Sequence, residues 1–230
     1  MSRPAESPSQ KATVILALDV DSVEKACSFV DKLYPAIKMF KVGIQLFTAA
    51  GPEIVEFINR KGARVFLDLK FFDIPNTVAQ AVRQAVRMDV AMLTLHILGD
   101  EEMLKAAVTA AQDESKRLNV KRPLLIGVTV LTSKEALTSD VLTLTKIGLE
   151  CGLDGVVCSA QEVALLRKEI KEPFVIVTPG IRVSGAATHD QKRTATVEAA
   201  VKAGSNFLVV GRPILEAADP LATAAQFSIS

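Results

Sequence analysis

Short apolar runs recur along the chain at VILALDV (14–20), MFKVG (39–43), RVFLDLK (64–70), AMLTLHI (91–97), LLIGVTVL (124–131), GVVCSA (155–160), FVIVTPG (174–180) and FLVVGR (207–212). Between them lie longer stretches with apolar residues at helical spacing, among them SVEKACSFVDKL, TVAQAVRQAVRM, EEMLKAAVTAAQ and QEVALLRKEI. Ala, Glu, Lys, Leu and Gln dominate these stretches, as helix propensity favours. Gly62, Gly152 and Gly204 stand at helix ends, where a left-handed cap is wanted. Strand alternating with helix implies a parallel sheet. Eight such units predict a (β/α)8 (TIM) barrel, one α/β domain over residues 12–230. A doubly wound open sheet is the alternative, and the lack of GxGxxG after the first run weakens it.

Polar residues gather at one end of the runs. Asp19, Lys41, Asp68, Lys70, His96, Thr132, Ser159 and Arg212 all fall at or just past a C-terminal end. Barrel enzymes assemble their sites from that end. The third run, FLDLKFFDIPN (66–76), carries the densest charge. Alternation along a strand puts Phe66, Asp68 and Lys70 on one face, and Val65, Leu67 and Leu69 on the other. The aliphatic set should meet helices, which leaves Asp68 and Lys70 facing the barrel mouth. Lys41, one strand away, is within reach of Asp68, and Asp19 lies one strand further on. The predicted row is Asp19, Lys41, Asp68, Lys70, with Asp73 close by in sequence.

A structural role competes with a chemical one. Buried acids and amines often satisfy one another, and Asp73 is also placed to cap a helix starting near Pro75. Apolar isosteres would usually serve stability as well, which favours chemistry for the row as a whole. A lysine between carboxylates keeps its charge, so it is a poor Schiff-base nucleophile and a well-placed acid. Such a group stabilises developing negative charge and then protonates it. A carboxylate beside a substrate carboxylate would favour its loss as carbon dioxide.

Composition narrows the setting. The 230 residues are 49% hydrophobic and 23% charged, with a net charge of +1. That balance argues against a general nucleic-acid or membrane surface. Cys27, Cys151 and Cys158 show no CxxC spacing, which fits a reducing cytosol better than a disulfide scaffold. The start, MSRPAESPSQ, lacks the apolar core of a secretory signal, so residues 1–11 read as a loose tail. No segment is long and apolar enough for a membrane span, and a cytoplasmic protein is expected.

The other side of the mouth has phosphate chemistry. VVGRP ends the last run, where Gly211 permits close backbone approach and Arg212 supplies a cation. Barrel phosphate sites frequently use the loops after strands 7 and 8. The loop after strand 7, IRVSGAATHDQKRTAT (181–196), is long enough for a binding lid and carries Arg182, Gln191, Lys192 and Arg193. His189 reads as exposed, and His96 as an interior histidine. No cluster supports zinc or iron.

The motifs ALD, KVG, DLKFFDIPNT, VTVLTS, GLDGVVCSAQE, TPGIR and GRP occur in an order that resembles the orotidine 5′-phosphate decarboxylase family, bacterial type, from about residue 14 to 213. DLK followed by DIPNT is highly specific; GRP alone is weak. The resemblance implies a dimeric barrel converting orotidine 5′-phosphate to uridine 5′-phosphate, the last step of de novo UMP synthesis, without cofactor or metal. It implies that Lys70 protonates C6 after carbon dioxide leaves and that Asp68 faces the substrate carboxylate. Lys41 would bridge Asp68 and the ribose, and Asp19 would hold a ribose hydroxyl. Asp73 and Thr77 would reach the neighbouring subunit's site, with Ile74 between them also on the substrate-binding segment. Capping and catalysis by Asp73 need not exclude each other. Thr132 would lie against the pyrimidine, Arg182 and Gln191 in the gripping loop, and Gly211 and Arg212 at the phosphate. The ILGD after His96 stands where many bacterial members have smaller residues and a Gly pair, and the loop from 183 to 190 varies within the family.

Three alternatives remain. A related barrel family uses magnesium to decarboxylate a keto-sugar phosphate or condense formaldehyde with a pentulose phosphate. It shares the Asp-x-Lys pattern, but needs a carboxylate where this chain has Lys41, and a cation there disfavours a divalent metal. A Schiff-base aldolase would use Lys70 as nucleophile. A non-catalytic sensor of nucleotide or sugar phosphates would keep the grip without turnover.

Overall fold

Alternation of side chains sorts each apolar run into two faces, and the chain uses both. The computed structural model describes residues 12–130, 138–182 and 195–227. Its strands are β1 (Thr13–Ala17), β2 (Met39–Gly43), β3 (Arg64–Phe71), β4 (Met92–His96), β5 (Leu124–Val128), β6 (Gly155–Val157), β7 (Val175–Pro179) and β8 (Phe207–Val210). They close into a parallel barrel in which each pairs with its sequence neighbour and β8 returns to β1. The predicted (β/α)8 barrel is therefore the observed fold, and the open sheet is excluded.

One face of the strands fills the barrel. Ile15, Phe66, Met92, Ile126, Val177 and Val209 form its interior cluster. The other face, including Leu16, Val42, Leu67 and Leu93, joins the shell of helices in a single larger core. Each fully buried side chain of this kind contributes about 1.5–3 kcal/mol. Among the helices are Val23–Leu33, Pro75–Arg87, Asp100–Leu118 and Ala160–Glu169. Local chemistry sets their ends. The Ser22 hydroxyl accepts from the Lys25 N–H, and Gly204 closes the helix Val197–Ala203 at φ +108°, the left-handed cap expected there. Among the described residues no helix is long and apolar enough to cross a membrane.

Three local expectations change. Several apolar runs outlast their strands, which end at Ala17, Val128 and Val157, although Leu18 and Cys158 still donate to the neighbouring strands. The segment after β7 is not wholly loop, since Ile181–Arg182 pairs in parallel with Ala195–Thr196. Asp73 does not cap its helix. The N-cap of Pro75–Arg87 is Ile74, without a side-chain cap bond, and the Asp73 carboxylate accepts from the adjacent Ile74 N–H, at 2.7 Å. Residues 1–11, with the proposed tail, lie outside the described residues.

Candidate active site

Register decides which side chains meet at the barrel mouth. Ala17 pairs with Lys41, Lys41 with Phe66, and Gly43 with Asp68. Lys41 thus starts one layer below Asp68 and rises toward it. The missing side chain of Gly43 leaves the space: a Cβ there would lie 3.1 Å from Lys41 Nζ and 3.4 Å from Asp19 Oδ1. Lys41 Nζ sits 3.0 Å from Asp19 Oδ1 and 3.4 Å from Asp68 Oδ2. The other Asp68 oxygen, Oδ1, accepts from Lys70 Nζ at 2.9 Å. The predicted charge row from Asp19 to Lys70 is therefore continuous.

The Lys70 position is not the simple alternation expected. Its φ is +51°, left-handed backbone that is costly for a residue with a Cβ. The ladder between β3 and β4 shifts between Leu67 and Phe71, so that Phe71, not Leu69, faces Leu95. This bulge still leaves the ammonium on Asp68. Thr94, buried on β4, supports it: its hydroxyl accepts from the Lys70 N–H at 2.9 Å and meets Asp68 Oδ1 at 3.0 Å. The sequence reading singled out His96 and missed Thr94, though both belong to the same alternate set as Met92.

Asp68 and Lys41 are nearly buried, with side chains 13% and 12% exposed. Burial pushes the Asp68 carboxyl up, but the charges of Lys41 and Lys70, with hydrogen bonds from Lys70 and Thr94, hold it below the usual carboxylate value. Burial likewise works against the charge on Lys41, and Asp68 and Asp19 overcome it, leaving the ammonium above its ordinary value. Burial lowers His96, with Lys70 adding to the effect against Asp68. The His96 ring lies against Phe72, 5.6 Å between centroids.

These groups open into a cavity of about 480 Å³ with three distinct walls. Asp19, Lys41, Asp68 and Lys70 make the charged one. Val128, Val157, Val177 and Pro179 make an aliphatic one across the barrel. Arg182, Gly211 and Arg212 make the third, with Arg182 only 8% exposed. Asp73, Ile74 and Thr77 do not line the cavity and are exposed. Thr132 and Gln191 lie outside the described residues, as do His189, Lys192 and Arg193. Among the described residues no group of three or more His, Cys, Asp or Glu is arranged to hold a metal.

The family model for "Orotidine 5'-phosphate decarboxylase / HUMPS family" matches residues 12–227. An orotidine 5′-phosphate decarboxylase of Dictyoglomus thermophilum is 43% identical over 219 residues, 90% of each chain. That of Vibrio atlanticus is 45% identical over 226 residues, 94% of this chain and 96% of the other. Among solved structures, orotidine 5′-phosphate decarboxylase from Lactobacillus acidophilus superposes with a TM-score of 0.83 at 34% identity, covering 95% of this chain and 100% of that one. Matched over nearly all of its length, the chain belongs to the orotidine 5′-phosphate decarboxylase / HUMPS family.

Proposed function

We propose that this protein decarboxylates orotidine 5′-phosphate to uridine 5′-phosphate without cofactor or metal, and that Lys70 is the proton donor. The observation that carries this reading is the single carboxylate of Asp68 held between two ammonium groups, with Lys70 Nζ at 2.9 Å and Lys41 Nζ at 3.4 Å. The substrate's three parts match the three walls. Its pyrimidine carboxylate goes to the charged side, its ring to the valines and its phosphate to Arg182 and Arg212. Planar guanidinium groups suit phosphate oxygens.

The chemistry follows from that placement. Asp68 repels the substrate carboxylate. The bond from C6 to that carboxylate breaks, carbon dioxide leaves, and the electron pair stays on C6. Lys70 stabilises the developing charge, donates a proton to C6, and regains one from solvent. Lys41 bridges Asp68 and the ribose, and Asp19 holds a ribose hydroxyl. The charges are in place before substrate arrives, so little reorganisation is needed during the step.

The family's metal-using branch is a poorer match for a reason of charge. The metal would need a carboxylate at the end of β2, where this chain has Lys41, its ammonium 3.0 Å from Asp19 and 3.4 Å from Asp68. Two chains are proposed to complete each pair of sites, with Asp73 and Thr77 serving the partner's cavity, Thr132 and Gln191 their own, and Ile74 on the substrate-binding segment. The exposure of Phe72, Ile74 and Leu98 beside the mouth supports that interface, since exposed apolar clusters mark docking surfaces.

The test is a spectrophotometric assay of the purified chain on orotidine 5′-phosphate. Loss of substrate absorbance with time, undiminished in excess chelator, is expected. No turnover would overturn the decarboxylase reading, and strict magnesium dependence would favour the keto-sugar-phosphate branch.

A further inference from the structure

We infer that Thr94 is a positioning residue for the proposed proton donor, tying the Lys70 backbone to the Asp68 carboxylate through one hydroxyl. The inference rests on the decarboxylase reading above. Thr94 is 0% exposed, on the inward face of β4. Its Oγ1 accepts from the Lys70 N–H at 2.9 Å and lies 3.0 Å from Asp68 Oδ1. A hydroxyl has one proton to give, and an ionised carboxylate can only accept. The Thr94 proton therefore points to Asp68, and its lone pair to Lys70 N–H. The same Asp68 oxygen takes Lys70 Nζ at 2.9 Å. Backbone and side chain of Lys70 are thus referred to one atom, closing a short ring of contacts through Thr94.

The ring stands where the strand is least regular. β3 and β4 are in register at Leu67 with Leu93, and two extra residues enter β3 before Phe71 meets Leu95. Lys70, inside this bulge, has φ +51°. Sparsely populated backbone persists where its surroundings over-determine it. Thr94 supplies such a constraint, because its hydroxyl holds the N–H of the left-handed residue itself. Without it Lys70 keeps its ion pair but loses the backbone anchor that aims its ammonium.

The test compares Thr94→Val, which keeps the shape and removes the hydroxyl, with Thr94→Ser, which keeps the hydroxyl and removes the methyl. Thr94→Val is expected to lower kcat by about 10- to 100-fold, the scale of a reacting group misplaced by about 1 Å. Its KM and its affinity for uridine 5′-phosphate should stay within about twofold of wild type, since ground-state binding is untouched. Thr94→Ser should recover kcat to within about threefold of wild type. A merely structural role would instead lower melting temperature and ligand affinity together with rate, and serine would not rescue. Wild-type kcat in Thr94→Val, or a serine variant as slow as valine, overturns the assignment. Should the valine variant fail to fold, Thr94→Ala is read against serine by the same criteria. An inactive wild type would sink the decarboxylase reading itself; an active wild type with an equally active valine variant sinks only the role of Thr94.

Discussion

Replacing Lys41 by methionine tests whether the charge row is one coupled unit. The change keeps the length and most of the apolar stem, and leaves Asp19, Asp68 and Lys70 with a net charge of −1. At the observed 3.4 Å, Lys41 and Asp68 attract by about 5 kcal/mol at an effective dielectric of about 20. Burying the ammonium returns several kcal/mol of that as desolvation. Lys70 still contacts Asp68 at 2.9 Å, so Asp68 is not left alone. The expected cost is therefore near the low end for a broken buried pair, about 3 kcal/mol. Asp19 makes the shorter contact to the same ammonium, 3.0 Å, but its side chain is 56% exposed. Solvent screening limits that pair, and Asp19→Asn should cost about 1 kcal/mol or less. Urea denaturation decides the matter. With a slope of about 3 kcal/mol per molar, the Lys41→Met midpoint should fall by about 1 M and the Asp19→Asn midpoint by about 0.3 M or less. Alkaline pH gives a second arm. The folded Lys41 value lies above the 10.5 of an unperturbed lysine, so its contribution is complete below pH 10.5 and lost as pH rises through the folded value. Lys41→Met should remove that alkaline loss. Equal midpoints for the two variants, or a Lys41→Met shift of only about 0.3 M, would refute burial as what gives the Lys41–Asp68 contact its weight.

Two further outcomes are expected. Lys70→Ala should fold and bind uridine 5′-phosphate while losing most turnover, by about 10²-fold or more; a near-normal rate would remove Lys70 from the mechanism. On the outer shell, Glu114 is buried and accepts from Arg87 Nε and Arg117 Nη2, each at 2.7 Å. The Arg117 and then the Arg87 hydrogen bond hold its carboxyl at about 2, below the ordinary 4.5. The unfolded chain binds this proton first, so the Glu114 contribution is complete above pH 4.5 and fades toward pH 2. Glu114→Gln should flatten that part of the stability profile in an acid titration; an unchanged slope would count against the pairing.

The barrel was legible because period-two alternation and helical spacing are local signals. Asp68 followed from strand parity and Lys41 from its place at a strand end; Lys70 was named by parity, but it meets Asp68 through a bulge that parity does not foresee. Thr94 shared that parity in MLTLH but resembled a core threonine, since its role depends on the neighbouring strand. The bulge at Lys70 had no sequence mark, because it arises from the pairing of β3 with β4 and not from a glycine or proline in β3. The part played by Gly43 was equally hidden. It exists only because register sets Gly43 beside Asp68 and Lys41 one layer below. Asp73 shows the reverse error. Asp two residues before a proline is a sound capping signal, yet the chain makes Ile74 the N-cap and leaves the Asp73 carboxylate exposed. For Thr94, the bulge and Gly43, what the sequence withheld was a relation between two strands.

Stability alone gives no reason to keep two carboxylates and two amines at this rim. Well-packed apolar residues of similar volume usually match a buried ion pair, and the same barrel fills its lower layers with Ile15, Phe66, Met92 and Ile126. The left-handed backbone at Lys70 adds a further cost. These costs fall together on one wall of one cavity, while the wall across the barrel is aliphatic, built of valines and Pro179. Such a concentration is expected where fixed charges must await a charge that exists only briefly. If they had to gather at the moment of reaction, the reorganisation would add to the barrier. On this view a residue held in left-handed backbone and the proposed proton donor should coincide, and in this chain both are Lys70.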